Sequence, residues 1–91
     1  MRFEVRFKQQ ALEDLKLLQR SEPAAYKKAL RLIAELYDHP TSGTGHPELL
    51  RGASTGWWSR RITQKHRLVY KIHDAEVMVM VLTAYGHYDD K

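Results

Sequence analysis

With 91 residues, 43% of them hydrophobic, the chain has material for one domain, residues 1–91, around one modest core. It has no cysteine, which excludes a disulfide framework and any thiolate metal site. The start, Met1-Arg2-Phe3-Glu4-Val5-Arg6, is charged, and no long apolar run follows, so neither a signal peptide nor a membrane span is expected and the cytoplasm is the default location.

Phe3, Val5 and Phe7 alternate with Arg2, Glu4 and Arg6, a period of two that predicts a half-buried strand. Leu12, Leu15 and Leu18 then recur every three residues among polar neighbours, the stripe of a short amphipathic helix. Ser21-Glu22-Pro23 reads as a helix restart: Ser21 can cap, Glu22 suits the positive helix end, and Pro23 fits the first turn. Tyr26, Leu30, Ile33 and Tyr37 carry a second helix to His39-Pro40, where the proline stops it. So short a junction predicts an antiparallel helix hairpin.

Residues 41–56 hold Gly43, Gly45, Pro47, Gly52, Ser54 and Gly56 and read as a long loop, with Glu48-Leu49-Leu50 as an ordered piece within it. Trp57 to Thr63 reads as a strand, Gln64-Lys65 as a turn, and His66 to Ile72 as the return strand. His73-Asp74-Ala75 is the next turn. Glu76 to Ala84, rich in Val and Met, is expected to be the most buried strand, with Met78 and Met80 in the core. The layout is α+β: an N-terminal strand, a two-helix hairpin, then a three-strand antiparallel meander, forming one twisted sheet with both helices on one face.

The formal net charge of +4 says little alone, but its distribution says more. Between Glu48 and Asp74 there is no acid, while Arg51, Arg60, Arg61, Lys65, Arg67 and Lys71 fall in the same interval, interleaved with Trp57, Trp58 and Tyr70. Bases stack on aromatic rings while Arg and Lys hold phosphates, so Arg51, Trp57, Arg60, Arg61 and Lys65 are candidate RNA contacts; a solvated basic face would carry the same charges.

Arg61 and Arg67 are expected side by side on adjacent strands, where two guanidiniums suit a phosphate between them, although each can equally pair with a carboxylate elsewhere. Glu48 is the only acid between Asp38 and Asp74, in a loop beside the basic block. There a carboxylate can take a proton from a ribose 2′-hydroxyl, or form a surface ion pair. His87 follows Gly86 near the end of the last strand and can pass protons near neutral pH. His39, His46, His66 and His73 each fall in or beside a turn or strand start, and none makes a convincing metal pair, so no metal or other cofactor is expected. A base, two cationic clamps and an acid make a set that could cut RNA without metal, because RNA carries its own nucleophile.

The segments Gly45-His46-Pro47-Glu48-Leu49-Leu50, Gly56-Trp57-Trp58-Ser59-Arg60-Arg61-Ile62-Thr63, His66-Arg67-Leu68-Val69-Tyr70 and His87-Tyr88 resemble the YoeB branch of the RelE toxin superfamily. The resemblance spans essentially the whole chain and is most specific in its C-terminal half. It implies a RelE-like fold and a ribosome-dependent mRNA endoribonuclease of a toxin–antitoxin pair. In that role Glu48 is the general base and His87 the general acid. Arg67 stabilises the scissile phosphate, Arg61 assists, and Tyr88 orients the site. It also implies a homodimer, a YefM-like antitoxin, and mRNA on the ribosome as target. Gyrase-inhibiting toxins share the fold without the nuclease residues, and a degenerate toxin can persist as a co-repressor. Three features depart from the pattern: Lys65 stands where some relatives carry an acid, Tyr85-Gly86 precedes His87 where Arg-Tyr is frequent, and Asp89-Asp90-Lys91 extends the chain beyond Tyr88.

Overall fold

The computed structural model describes residues 2–51 and 56–86. Strand β1 (Glu4–Phe7) leads into helices α1 (Gln9–Ser21) and α2 (Pro23–Leu36), followed by β2 (Glu48–Leu49), β3 (Trp57–Arg61), β4 (Arg67–His73) and β5 (Met78–Thr83). The strands form one five-stranded sheet in the order β1-β5-β4-β3-β2. The β3-β4-β5 meander is antiparallel as expected. β1 is parallel to β5, and the two-residue β2 adds an antiparallel edge on β3.

The α1–α2 junction is a single non-helical residue, Glu22, whose backbone N–H still closes on the Leu18 carbonyl at 2.7 Å. Pro23 opens α2 as expected. Ser21 is not the cap: it ends α1, and its hydroxyl donates to the Leu17 carbonyl at 2.7 Å. The Glu22 carboxylate makes no cap hydrogen bond either, because His66 and Lys65 engage it.

Both helices pack on one sheet face, over a core that includes Leu18, Leu32, Leu36, Leu68, Tyr70, Val79 and Val81. Burying each such leucine contributes about 2–3 kcal/mol. The expected stripes hold at Leu18 and Ile33, which are buried, and at Leu15, Tyr26 and Tyr37, which pack against the core. They fail at Leu12 and Leu30, which are 42% and 44% exposed, and α1 also buries Ala11 and Asp14. Asp14 goes inside because its carboxylate accepts the Ala84 N–H at 2.9 Å and the Gln10 amide at 2.8 Å, so its polar atoms are satisfied.

The most buried strand stretch is Leu68-Val69-Tyr70 on β4, the middle strand of five, rather than one on β5, where Met78 and Met80 are half-buried. β5 also starts later than expected, since Asp74–Glu76 form a 3-10 turn and Val77 takes a left-handed backbone, φ 50°. The β3–β4 turn is wider than two residues: the Ile62 and Thr63 N–H groups both donate to the His66 carbonyl, at 3.0 and 3.1 Å.

Candidate active site

Alternation along β3 sends neighbouring arginines to opposite faces. Trp58 pairs with Tyr70 and Arg60 with Leu68, on the face under the helices. Ser59 pairs with Val69 and Arg61 with Arg67, on the other face, which is closed over Ser59 and Val69 and open where Arg61 lies. Glu48 stands opposite Ser59 in the β2–β3 register, which puts its side chain on that face too. Glu48, Arg61 and Arg67, together with His46 and Pro47, line one cleft of about 490 Å³.

The loop that delivers Glu48 is built around a buried cation. The Arg60 side chain is 0% exposed. Its Nη1 donates to Glu35 Oε1 at 2.7 Å and to the Thr44 carbonyl at 3.3 Å, and its Nη2 donates to the carbonyls of Ser42, at 2.7 Å, and His39. Its Nε donates to the Tyr70 hydroxyl at 3.1 Å, which in turn donates to the Pro40 carbonyl at 2.7 Å. Glu35 also accepts the Thr44 N–H and hydroxyl, at 2.8 and 2.7 Å. The Thr44 hydrogen bonds and the Arg60 guanidinium together hold the Glu35 carboxyl below its usual range. Burial raises the Tyr70 phenol.

Beyond this knot the chain turns sharply into the cleft. The Gly45 carbonyl accepts the Arg61 N–H at 2.7 Å. Gly45 has φ +85°, and a Cβ there would stand 3.0 Å from the Arg61 carbonyl oxygen and 3.1 Å from the Leu32 side chain, so any other residue is both strained and crowded. His46 follows at φ 52°, a left-handed conformation that costs a non-glycine residue on the order of 1 kcal/mol. This pair of turns brings Pro47 and Glu48 to the sheet edge.

The expected residues therefore divide. Glu48, Arg61 and Arg67 converge, and the Arg61–Arg67 pairing is the one expected from strand alternation. Among the described residues neither guanidinium forms an ion pair, nor does Glu48. Arg60 is not an RNA contact, because its donors are consumed by Glu35, Tyr70 and backbone carbonyls within the protein. Lys65 is not in the cleft either; its ammonium lies 3.5 Å from Glu22 at the helix junction. Trp57 lies at the other end of β3 from Arg61, opposite Lys71, and Arg51 is exposed beyond β2; neither lines the cleft. His87, Tyr88 and the 89–91 tail lie outside the described residues. Two cleft residues, His46 and Pro47, were not singled out from sequence, although Gly45-His46-Pro47 immediately precedes Glu48 and the glycine signals the turn. His66, at the start of the return strand beside a turn, is buried at 3% exposure.

Chemically, two adjacent cations with no ion-pair partner among the described residues, sharing a cleft with a carboxylate, suit a group that brings negative charge and a removable proton. This is a small α+β protein with an open cationic cleft at one end of its sheet, opposite the helix-covered face.

Residues 7–88 match the family described as YoeB-like toxin of bacterial type II toxin-antitoxin system. The chain is 42% identical over 84 residues to Toxin YoeB of Mycobacterium bovis, covering 92% of this chain and 96% of that protein. The YoeB dimer from Staphylococcus aureus superposes with a TM-score of 0.81 at 34% identity, covering 97% of this chain and 100% of the other. The YoeB–YefM complex from the same organism gives 0.78 at 34% identity and the same coverage. The chain belongs to the YoeB-like toxin family of type II toxin–antitoxin systems. Among the described residues no helix is long and apolar enough to cross a membrane.

Proposed function

We propose that this toxin is a metal-independent endoribonuclease that cleaves mRNA on the ribosome and thereby arrests translation. The carrying observation is the cleft itself: Glu48 faces Arg61 and Arg67, whose charges have no ionic partner among the described residues. Glu48 takes the proton of a ribose 2′-hydroxyl. The 2′-oxygen bonds to phosphorus as the P–O5′ bond breaks, and Arg67, helped by Arg61, stabilises the charge that builds on the phosphoryl oxygens. His87 gives O5′ its proton and Tyr88 orients the reacting groups, leaving a 2′,3′-cyclic phosphate and a 5′-hydroxyl. Charge separation between clamp and base favours polyanion entry, and the single-stranded codon presented by a ribosome supplies an unpaired 2′-hydroxyl that can be turned in line.

By analogy with the S. aureus proteins, this chain forms a homodimer and is neutralised by a YefM-like antitoxin, and it acts as one domain in the cytoplasm, where ribosomes are. Primer extension on mRNA in a translating extract, with and without ribosomes, tests the reading. Wild type cuts only with ribosomes present. Glu48→Ala and His87→Ala each lower the rate by about 10²–10⁴-fold, the worth of one proton-transfer step. Wild-type rates in both variants would overturn the assignment of roles.

A further inference from the structure

His66 is the most buried histidine among the described residues, and both its ring nitrogens are engaged. The Gly86 backbone N–H donates to His66 Nδ1 at 2.9 Å. A backbone N–H can only donate, so Nδ1 accepts with its lone pair and the ring proton sits on Nε2. Nε2 lies 2.7 Å from Glu22 Oε2 and donates to it. The contact is thus a hydrogen bond from a neutral imidazole to a carboxylate, which fixes the tautomer. That hydrogen bond, with the Lys65 ammonium, keeps the Glu22 carboxyl below its usual range. The Tyr85 ring packs against the imidazole with centroids 4.3 Å apart.

These contacts converge on the last described stretch of chain. The Ala84 N–H is held by Asp14 of α1 at 2.9 Å, the Gly86 N–H by His66, and the Gly86 carbonyl by the Arg67 N–H at 2.9 Å. Residues 84–86 are past the end of β5, so their backbone groups need partners outside the β4–β5 register. Two buried side chains and the backbone of the proposed phosphate clamp replace the ladder. Gly86 is bound on both sides by consecutive residues, His66 and Arg67, and His87 is the next residue.

We propose that His66, held in its Nε2–H tautomer by Glu22, is a positioning residue that fixes the peptide from which His87 departs relative to Arg67. The inference rests on the nuclease reading. His66 touches no substrate; it acts through Gly86, so that acid and phosphate clamp are set from one point. A misplacement of about 1 Å costs on the order of 100-fold in rate, which is the scale such a tether controls.

Two near-isosteric variants separate positioning from packing. In His66→Asn the amide oxygen takes the place of Nδ1 and can accept the Gly86 N–H. In His66→Gln the amide takes the place of Nε2, keeping the link to Glu22 and losing Gly86. Both lose a comparable part of the ring, so a purely structural histidine makes them alike. The measurements are thermal stability, affinity for programmed ribosomes, single-turnover cleavage by the full chain, and hydrogen exchange of the Gly86 amide. The expected result is similar stability and ribosome affinity for the two. His66→Gln should cleave about 100-fold more slowly with a deprotected Gly86 amide, and His66→Asn should stay within a few-fold of wild type with the amide protected. Equal cleavage by the two variants, with wild type active, would overturn the positioning role and leave the nuclease reading intact. A wild type that cuts no mRNA would overturn the nuclease reading, and this proposal with it.

Discussion

Arg60 and Arg61 are consecutive residues with the same side chain and opposite fates. Arg60 points under the helices, is shielded from water, and spends its donors on Glu35, Tyr70 and the carbonyls of the loop before Glu48. Arg61 points to the open face, pairs across the strands with Arg67, and makes no ion pair among the described residues. The difference is a matter of strand parity. One step along β3 exchanges a desolvated interior, where a charge must be matched, for a cleft where an unmatched charge can wait for a ligand. The same residue type is a structural bolt on one face and a candidate recognition group on the other. The two roles are linked, since the loop tied down by Arg60 is the one that carries Glu48 to the cleft.

The sharpest way to break this comparison is to remove each arginine in turn. Arg60→Ala leaves Glu35 without its cation and several loop carbonyls without donors. It is expected to cost about 3–5 kcal/mol in denaturant unfolding, and Arg60→Lys should recover little because an ammonium cannot fork to the five acceptors the guanidinium reaches. A loss under about 1 kcal/mol would mean that the loop does not depend on the guanidinium.

On the other face the expected pattern inverts. Arg67→Ala and Arg61→Ala should leave unfolding within about 0.5 kcal/mol of wild type, while cleavage falls by about 10²–10³-fold for Arg67, the worth of one donor to the transition-state charge, and less for Arg61. Binding of single-stranded RNA should lose about 0.7 of its log–log salt slope per arginine removed. If Arg61→Ala and Arg60→Ala fell equally in stability and activity, the two-face reading would be wrong.

How far the sequence led follows the same parity. Alternation between apolar and polar residues was enough to pair Arg61 with Arg67 and to order the meander, because both depend on local periodicity. The same alternation, followed one residue further, aligns Trp58, Arg60 and Ile62 on one face, and the burial of Ile62 shows what that face is. Charge alone groups Arg60 with the RNA contacts, and the parity of β3 overrules it. β2 has two residues and hence no period, and the parallel β1–β5 pairing joins segments more than seventy residues apart, beyond any local pattern. Buried Asp14 and His66 were unreadable for a related reason. Each accepts a backbone N–H from far along the chain, at position 84 or 86, besides its side-chain partner, and nothing around residues 14 or 66 announces that N–H.

The smallest expected effect tests the interior side of the comparison from its anionic end. The hydrogen bonds from Thr44, with Arg60, stabilise the ionised form of Glu35, so its folded pKa lies below that of the unfolded chain. A carboxylate lowered in this way contributes stability that is complete above the ordinary carboxylate range. The contribution is lost as pH falls below about 4 and passes through the lowered folded value. Unfolding free energy of the wild type should therefore decline on acidification, and Glu35→Gln should flatten part of that decline, with the gap between the two proteins closing as pH drops. Glu22, lowered by its hydrogen bond with His66, titrates in the same direction, so some slope must survive in Glu35→Gln and shrink further in the Glu22→Gln, Glu35→Gln double variant. With the Glu35 carboxylate partly exposed, its contribution should be about 1 kcal/mol or less. A Glu35→Gln protein whose acid profile parallels the wild type would place the Arg60 knot's stability in its carbonyl contacts instead of its ion pair.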